Sequence, residues 1–237
     1  MSPPPSFNLG RIGQTNLAVS RFSVISKSPS LWLDAADSKT ITHNSGTVGQ
    51  WRDKSGHDRH AAQNNTVIQP GFGVDSHGQY LSFNGGNLPA AGTIDYFELL
   101  AEAPGKTVFF VSDWEGNDYS WIAGMSDTSS HIFLRSNSYG ISINGGSGDT
   151  GTWYVNGVEQ GTGGDIGSPI VTNTPLVHSV KFEAGSPDSA YSRIASYNHD
   201  AGGFDGKIRE VLFFDRYLDT FERTSIENYL IKKWGIL

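Results

Sequence analysis

The last thirty-four residues, FDGKIREVLFFDRYLDTFERTSIENYLIKKWGIL from Phe204 to Leu237, constrain the fold most, because strand, turn, capped helix and chain end are all legible in them. In Lys207–Asp215 the apolar residues Ile208, Leu212 and Phe214 stand at even spacing, and Val211 and Phe213 occupy the opposite phase. Apolar side chains on both faces predict an interior strand covered on each side. Asp219 then precedes Glu222 by three positions, an aspartate form of the capping box, and Phe221, Ile226, Tyr229, Leu230 and Trp234 follow at near-helical spacing. Lys232 and Lys233 fall in the last turn, where cations complement the helix dipole, and Gly235 stands at the C-cap. A domain that closes with a buried strand and a short helix is the expectation, with these charged residues acting as caps.

The rest of the chain is written in short strands and tight turns. Gly contributes 29 of the 237 residues, aromatics 12% and charged residues only 17%, a balance that favours β-structure over long solvated helices. Candidate strands are Leu31–Asp34, Tyr80–Phe83, Thr107–Ser112, Trp121–Gly124, His131–Ser136, Gly140–Asn144, Thr152–Asn156, Pro175–Phe182, Tyr191–Tyr197 and Lys207–Asp215. Asn156-Gly157 supplies the two positive-φ positions of a hairpin turn between Trp153–Val155 and Val158–Gln160. In Leu176–Phe182, Leu176, Val180 and Phe182 alternate with Val177, Ser179 and Lys181, which predicts one wet face. The glycine-rich stretches Gly145–Gly151 and Gly161–Gly167 lack phosphate-loop spacing and are expected to be long turns. The whole predicts an all-β, two-sheet antiparallel sandwich with a short C-terminal helix.

Charge and residue usage exclude several classes of function. There is no cysteine, so disulfides, a thiol nucleophile and a zinc–thiolate site are impossible. Residues 1–30 hold Arg11, Arg21 and Lys27 and no acid, so the remainder carries 17 − 3 = 14 basic residues against 24 acids, or −10. An acidic body argues against nucleic acid as partner, since that surface needs clustered Lys and Arg. No run of about eighteen apolar residues exists to cross a membrane, and the start MSPPPSFNLG has no signal-peptide pattern, which predicts synthesis in the cytoplasm. The division expected is an extended arm at 1–29, with Leu17–Ser26 strand-like within it, and a body at 30–237.

Leu31–Gln63, LWLDAADSKTITHNSGTVGQWRDKSGHDRHAAQ, resembles the opening of laminin-G-like members of the concanavalin A-like jelly rolls: an L-W-x-D-A strand, then W-x-D-x-S-G and a His-Ala pair. The WYVNG hairpin and the GKIREVLFFDR strand with its terminal helix resemble the same group's middle and close. The resemblance covers Leu31–Leu237 and implies a jelly-roll topology and a homo-oligomer. Bottom-up, Trp32 and Trp51 bury large apolar areas, Asp53, Ser55 and Gly56 form a chain-reversing turn, and His60 closes that loop by a hydrogen bond.

Chemistry is sparse. Related glucanases carry E-x-D-x-x-E or E-x-D-x-E on one strand, so that two carboxyl groups lie about 5–5.5 Å apart for a retaining mechanism. No such run occurs here, nor a G-x-S-x-G elbow or an H-E-x-x-H helix, so glycoside hydrolysis is a remote alternative and no catalytic residue is assigned. Asp113–Trp121, DWEGNDYSW, is the candidate glycan site. Trp114, Tyr119 and Trp121 offer flat faces for sugar rings, and Asp113, Glu115, Asn117 and Asp118 offer acceptors for hydroxyls. The competing structural reading places Trp121 in the core and the acids in solvated turns. Some relatives bind calcium, and the resemblance makes Asp113, Asp118 and Asp127 the candidate ligands. The function expected is a non-enzymatic structural and adhesion module. The expected identity is a bacteriophage virion protein of head, tail or fibre, docked on other virion proteins through residues 1–29, with cell-surface glycan as a further expected partner. A lectin module of a bacterial surface protein is the alternative.

Overall fold

In the computed structural model, residues 23–85, 94–115, 120–125, 131–134, 141–144, 151–162, 165–166, 173–183, 190–196 and 203–236 are described. Among them the chain is almost entirely antiparallel β-structure. The strands are β1 (Leu31–Asp34), β2 (Ile41–Asn44), β3 (Thr47–Trp51), β4 (Ala61–Ala62), β5 (Gly71–Asp75), β6 (Gly78–Phe83), β7 (Phe97–Pro104), β8 (Thr107–Trp114) and β9 (Ser120–Met125). They continue as β10 (His131–Leu134), β11 (Ile141–Asn144), β12 (Gly151–Val155), β13 (Val158–Thr162), β14 (Asp165–Ile166), β15 (Leu176–Phe182), β16 (Ala190–Ile194) and β17 (Gly206–Phe214), followed by helix α1 (Thr220–Lys233).

Hydrogen bonding divides these strands into two runs. One runs β13-β12-β15-β8-β17, with β1 and β6 side by side on the far edge of β17 and β5 beyond β6. The other runs β14-β11-β10-β9-β16-β7-β4-β3-β2. Among the described strand pairings, they are joined by the Thr47–Gly71 bridge. Aromatic side chains from the two runs meet, Phe83 on Phe97 at 5.9 Å and Tyr191 on Phe213 at 4.8 Å between ring centroids, inside one continuous core. This arrangement is compatible with an all-β sandwich, with α1 packed on the outer face of the first run.

β17 is interior as its sequence predicts, lying between β8 on one side and β1 and β6 on the other. Its alternation is interrupted, however. The register against β8 shifts between Ile208 and Glu210, so Arg209 is a bulge residue. Directly opposed residues share a face, which puts Ile208 with Val211 and Phe213, opposite Ser112, Phe110 and Val108, rather than with Leu212 and Phe214.

The helix corrects four expectations. Its N-cap is Asp219, whose Oδ1 accepts from Glu222 N–H at 2.8 Å, but the Glu222 carboxylate is held by Arg216 at 2.7 and 2.9 Å instead of turning back. Phe221 is 76% exposed, because the buried stripe is Arg223, Ile226, Glu227 and Leu230. β15 has no wet face over Val177–Ser179: α1 covers it, and the Ser179 hydroxyl donates to Glu227, which Arg223 neutralises. The helix ends one residue before the expected cap: Trp234 is the C-cap, and Gly235, at φ +60°, is the left-handed residue that follows it, with Ile236 N–H donating to Ile231 O at 2.9 Å.

At the front of the body, Asp53 satisfies the turn backbone as its sequence predicts. It accepts from Trp32 N–H at 2.9 Å, Ser55 N–H at 2.8 Å and Arg59 N–H at 3.1 Å, while its own N–H donates to His60 Nδ1 at 3.2 Å. Trp51 is fully buried and Trp32 half-buried. Of the strand expected at Leu17–Ser26, residues 17–22 lie outside the described residues. Ser23–Ser26 instead enters a 3-10 turn at Ile25–Lys27, closed by Ser26 N–H and Oγ donating to Ser23 O at 3.2 and 2.7 Å. Of the glycine-rich stretches expected to be long turns, 145–150 lies outside the described residues, while the described part of Gly161–Gly167 is strand instead: Gly161 and Thr162 end β13, paired with β12, and Asp165–Ile166 form β14, paired with β11.

Candidate functional site

The candidate glycan residues are split by the alternation of β8 and by its end. Asp113 points outward, yet it is only 4% exposed because Arg209 covers it: Nε and Nη2 donate to its two oxygens at 3.1 and 2.8 Å. The β17 bulge brings Arg209 onto that face, and its other donors grip Asp75 at 3.1 and 2.8 Å. Burial alone would push Asp75 up, but the hydrogen bonds from Arg209 and His77 N–H outweigh it and hold this carboxyl below its ordinary range. Trp114 points the other way, into the core, at 2% exposure, so it presents no ring face to a ligand. Glu115 is exposed and pairs with Lys207 at 3.0 Å, and that hydrogen bond raises the Lys207 pKa. Lys207 and Arg209 both stack near Tyr80, at 4.9 and 5.3 Å from its centroid. Trp121 lies in β9, but its side chain, with Asn117, Asp118, Tyr119 and Asp127, is outside the described residues.

For calcium, Asp113 is committed to Arg209, and among the described residues no group of three or more His, Asp or Glu is placed to hold a metal ion. Asp118 and Asp127 are outside that statement.

A second polar cluster was not foreseen. Asp34 and Glu210 are directly opposed across β1 and β17, 4% and 1% exposed, and Lys233 bridges them at 2.7 Å to each. Lys54 adds a contact of 2.8 Å to Asp34, and the Trp32 and Trp234 indoles donate to Glu210 at 2.8 and 2.7 Å. Burial, then the neighbouring Asp34 charge, push Glu210 up against the pull of Lys233. Lys233 is therefore a buried cross-link between the first strand, the last strand and the helix, not a solvent-facing complement to the dipole. The pairing spans 199 residues, so no local pattern announces it. Both carboxylates are thus buried and committed to Lys233.

The third feature is concave. A cleft of about 400 Å³ opens on the outer face beside the start of α1, lined by Thr152, Tyr154, Lys181, Phe182, Glu183 and Tyr217. Its floor follows from register: Thr152 opposes Lys181, and Tyr154 opposes Ser179, across β12 and β15. Its sides are held from behind. The Arg223 guanidinium lies 3.5 Å from the Tyr154 centroid, Lys106 Nζ lies 5.6 Å from that of Tyr217, and Tyr217 O–H donates to Glu183 O at 3.1 Å. Lysine and tyrosine on alternate positions of β12 and β15 are visible in the sequence, but the Tyr217 wall depends on how the β17–α1 connection folds back.

Comparison of the chain with models of known protein families, with curated proteins and with solved structures found no match in any of the three.

Proposed function

We propose that this chain is a non-enzymatic jelly-roll module of a larger assembly, a virion protein docked through its N-terminal arm, with glycan adhesion on its outer surface. The observation that carries the docking is the way the root of the arm is fastened. Val24 is 2% exposed and belongs to the core, Ser30 N–H donates to Phe213 O at 2.8 Å, and Arg59 donates to Ser30 O at 2.7 Å. Arg216 reaches Lys27 O at 3.4 Å. The chain is therefore fixed to the body at Val24, and the sequence before it carries Arg11, Arg21 and no acid, which suits an acidic partner. Support for a non-catalytic body comes from its buried carboxylates: Asp34, Asp113, Glu210 and Glu227 each hold a cation within ion-pair distance. The test is incorporation. A chain lacking residues 1–22 keeps the melting temperature of the full chain but stays out of the particle in which the full chain is recovered; incorporation at the wild-type level refutes docking by the arm.

A further inference from the structure

We propose that the cleft between Tyr154 and Tyr217 binds a sugar residue bearing a carboxylate, with Lys181 as its anion anchor. The inference rests on adhesion being part of the module's work and is independent of docking by the arm. Three properties point to that ligand class. The cleft is large enough for one or two sugar residues, at about 400 Å³, and is walled by two tyrosine rings, the flat apolar surfaces on which pyranoses pack. Each ring is backed by a cation, Arg223 behind Tyr154 and Lys106 beside Tyr217, so both rings are held in place before a ligand arrives.

The charge distribution then selects an acid over a neutral sugar. Among the described residues, Lys181, Lys106 and Arg223 line or flank the cleft with Glu183 and Glu227, on a chain whose formal charge is −7. Glu227 is spent on Arg223 and Ser179. Lys181 is different, since it joins no ion pair among the described residues. It rises from the cleft floor between Thr152 and Thr107, its two cross-strand neighbours, and its ammonium is the donor left for a carboxylate. The Thr152 hydroxyl, which meets the Thr162 hydroxyl at 3.1 Å and keeps further hydrogen-bonding capacity, also lines the space and suits a sugar hydroxyl.

The experiment titrates the full-length chain with three probes, sialyllactose, a glucuronate-bearing disaccharide and lactose, reading affinity by calorimetry and location by amide shifts. At least one acidic probe binds, with shifts centred on Thr152, Tyr154, Lys181 and Glu183, and lactose binds at least about tenfold more weakly, the worth of one charge-assisted hydrogen bond. Which acid binds distinguishes a sialate-type from a uronate-type ligand. Lys181→Gln weakens the acidic probe by a similar factor at an unchanged melting temperature. No binding of either acid at millimolar concentration, equal affinity for lactose, or indifference to Lys181→Gln overturns the proposal. Because binding is read on purified chain and docking on the particle, either can fail without the other.

Discussion

Replacing Lys233 by Met removes the cation that lies 2.7 Å from both Asp34 and Glu210 while keeping a good helix former in the last turn of α1. Breaking a buried ion pair by deleting one partner costs about 3–5 kcal/mol, since the remaining charge stays desolvated. Here the low end applies. Lys54 still holds Asp34 at 2.8 Å, and both indoles still donate to Glu210, so the expected loss is about 3 kcal/mol at pH 8. The sign of the pH dependence follows from the direction of the Glu210 shift. Its folded pKa is already raised above the ordinary 4.5, and losing Lys233 raises it further. Between those values the folded state binds the proton that the unfolded state has released, so stability falls as pH rises through that window. Lys233 itself is held above its ordinary 10.5 and adds no slope there. The destabilisation caused by Lys233→Met is therefore smaller at pH 5 than at pH 8, by up to about 1.4 kcal/mol per pH unit within the window. Urea unfolding of both proteins at the two pH values measures this. A loss under about 1 kcal/mol at pH 8, as for an exposed pair, or an equal loss at both pH values, refutes the buried-network argument.

Two further predictions concern groups buried inside the first run of strands. Trp114→Ala leaves a cavity in the core and costs about 3–5 kcal/mol in urea unfolding, with no selective loss of glycan binding in the variant that remains folded; the reverse pattern would return Trp114 to the surface. His178 is pushed down to about 4 by burial, so its folded pKa lies below the ordinary 6.5 and the unfolded state takes up the proton first. Stability from this group is complete above pH 6.5 and is lost as pH falls toward 4, so His178→Leu flattens the acid limb of the wild-type stability profile. An unchanged limb contradicts it.

What was legible in the sequence, and what was not, follows from the range of the interactions. β1 and the Asn156-Gly157 hairpin were readable because a few neighbouring residues decide them, with Asn156 and Gly157 at φ +48° and +81° as the turn requires. The helix cap at Asp219 was readable for the same reason. Strands β2, β3, β5 and β7 were missed. Their segments ITHN, TVGQW, GFGVD and FELLAEAP carry glycines, polar residues or outward acids, and neighbouring strands, not local propensity, hold them extended. In the candidate glycan patch, Asp113 was read as an acceptor for sugar hydroxyls or a solvated turn residue, whereas it is the outward-facing end of β8. Its occupation by Arg209, 96 residues away, was not readable, because a one-residue bulge in β17 decides it. The burial of Trp114 likewise depends on an opposing layer. The cleft needed the register of β12 on β15 and the return of Tyr217, which join parts of the chain far apart in sequence.

The most direct test of the account is the sedimentation of the native chain from its source. A 25.7 kDa module that works as part of an assembly sediments with a far larger particle and is released from it when residues 1–22 are removed. Recovery of the full chain only as a free species of its own mass contradicts the account.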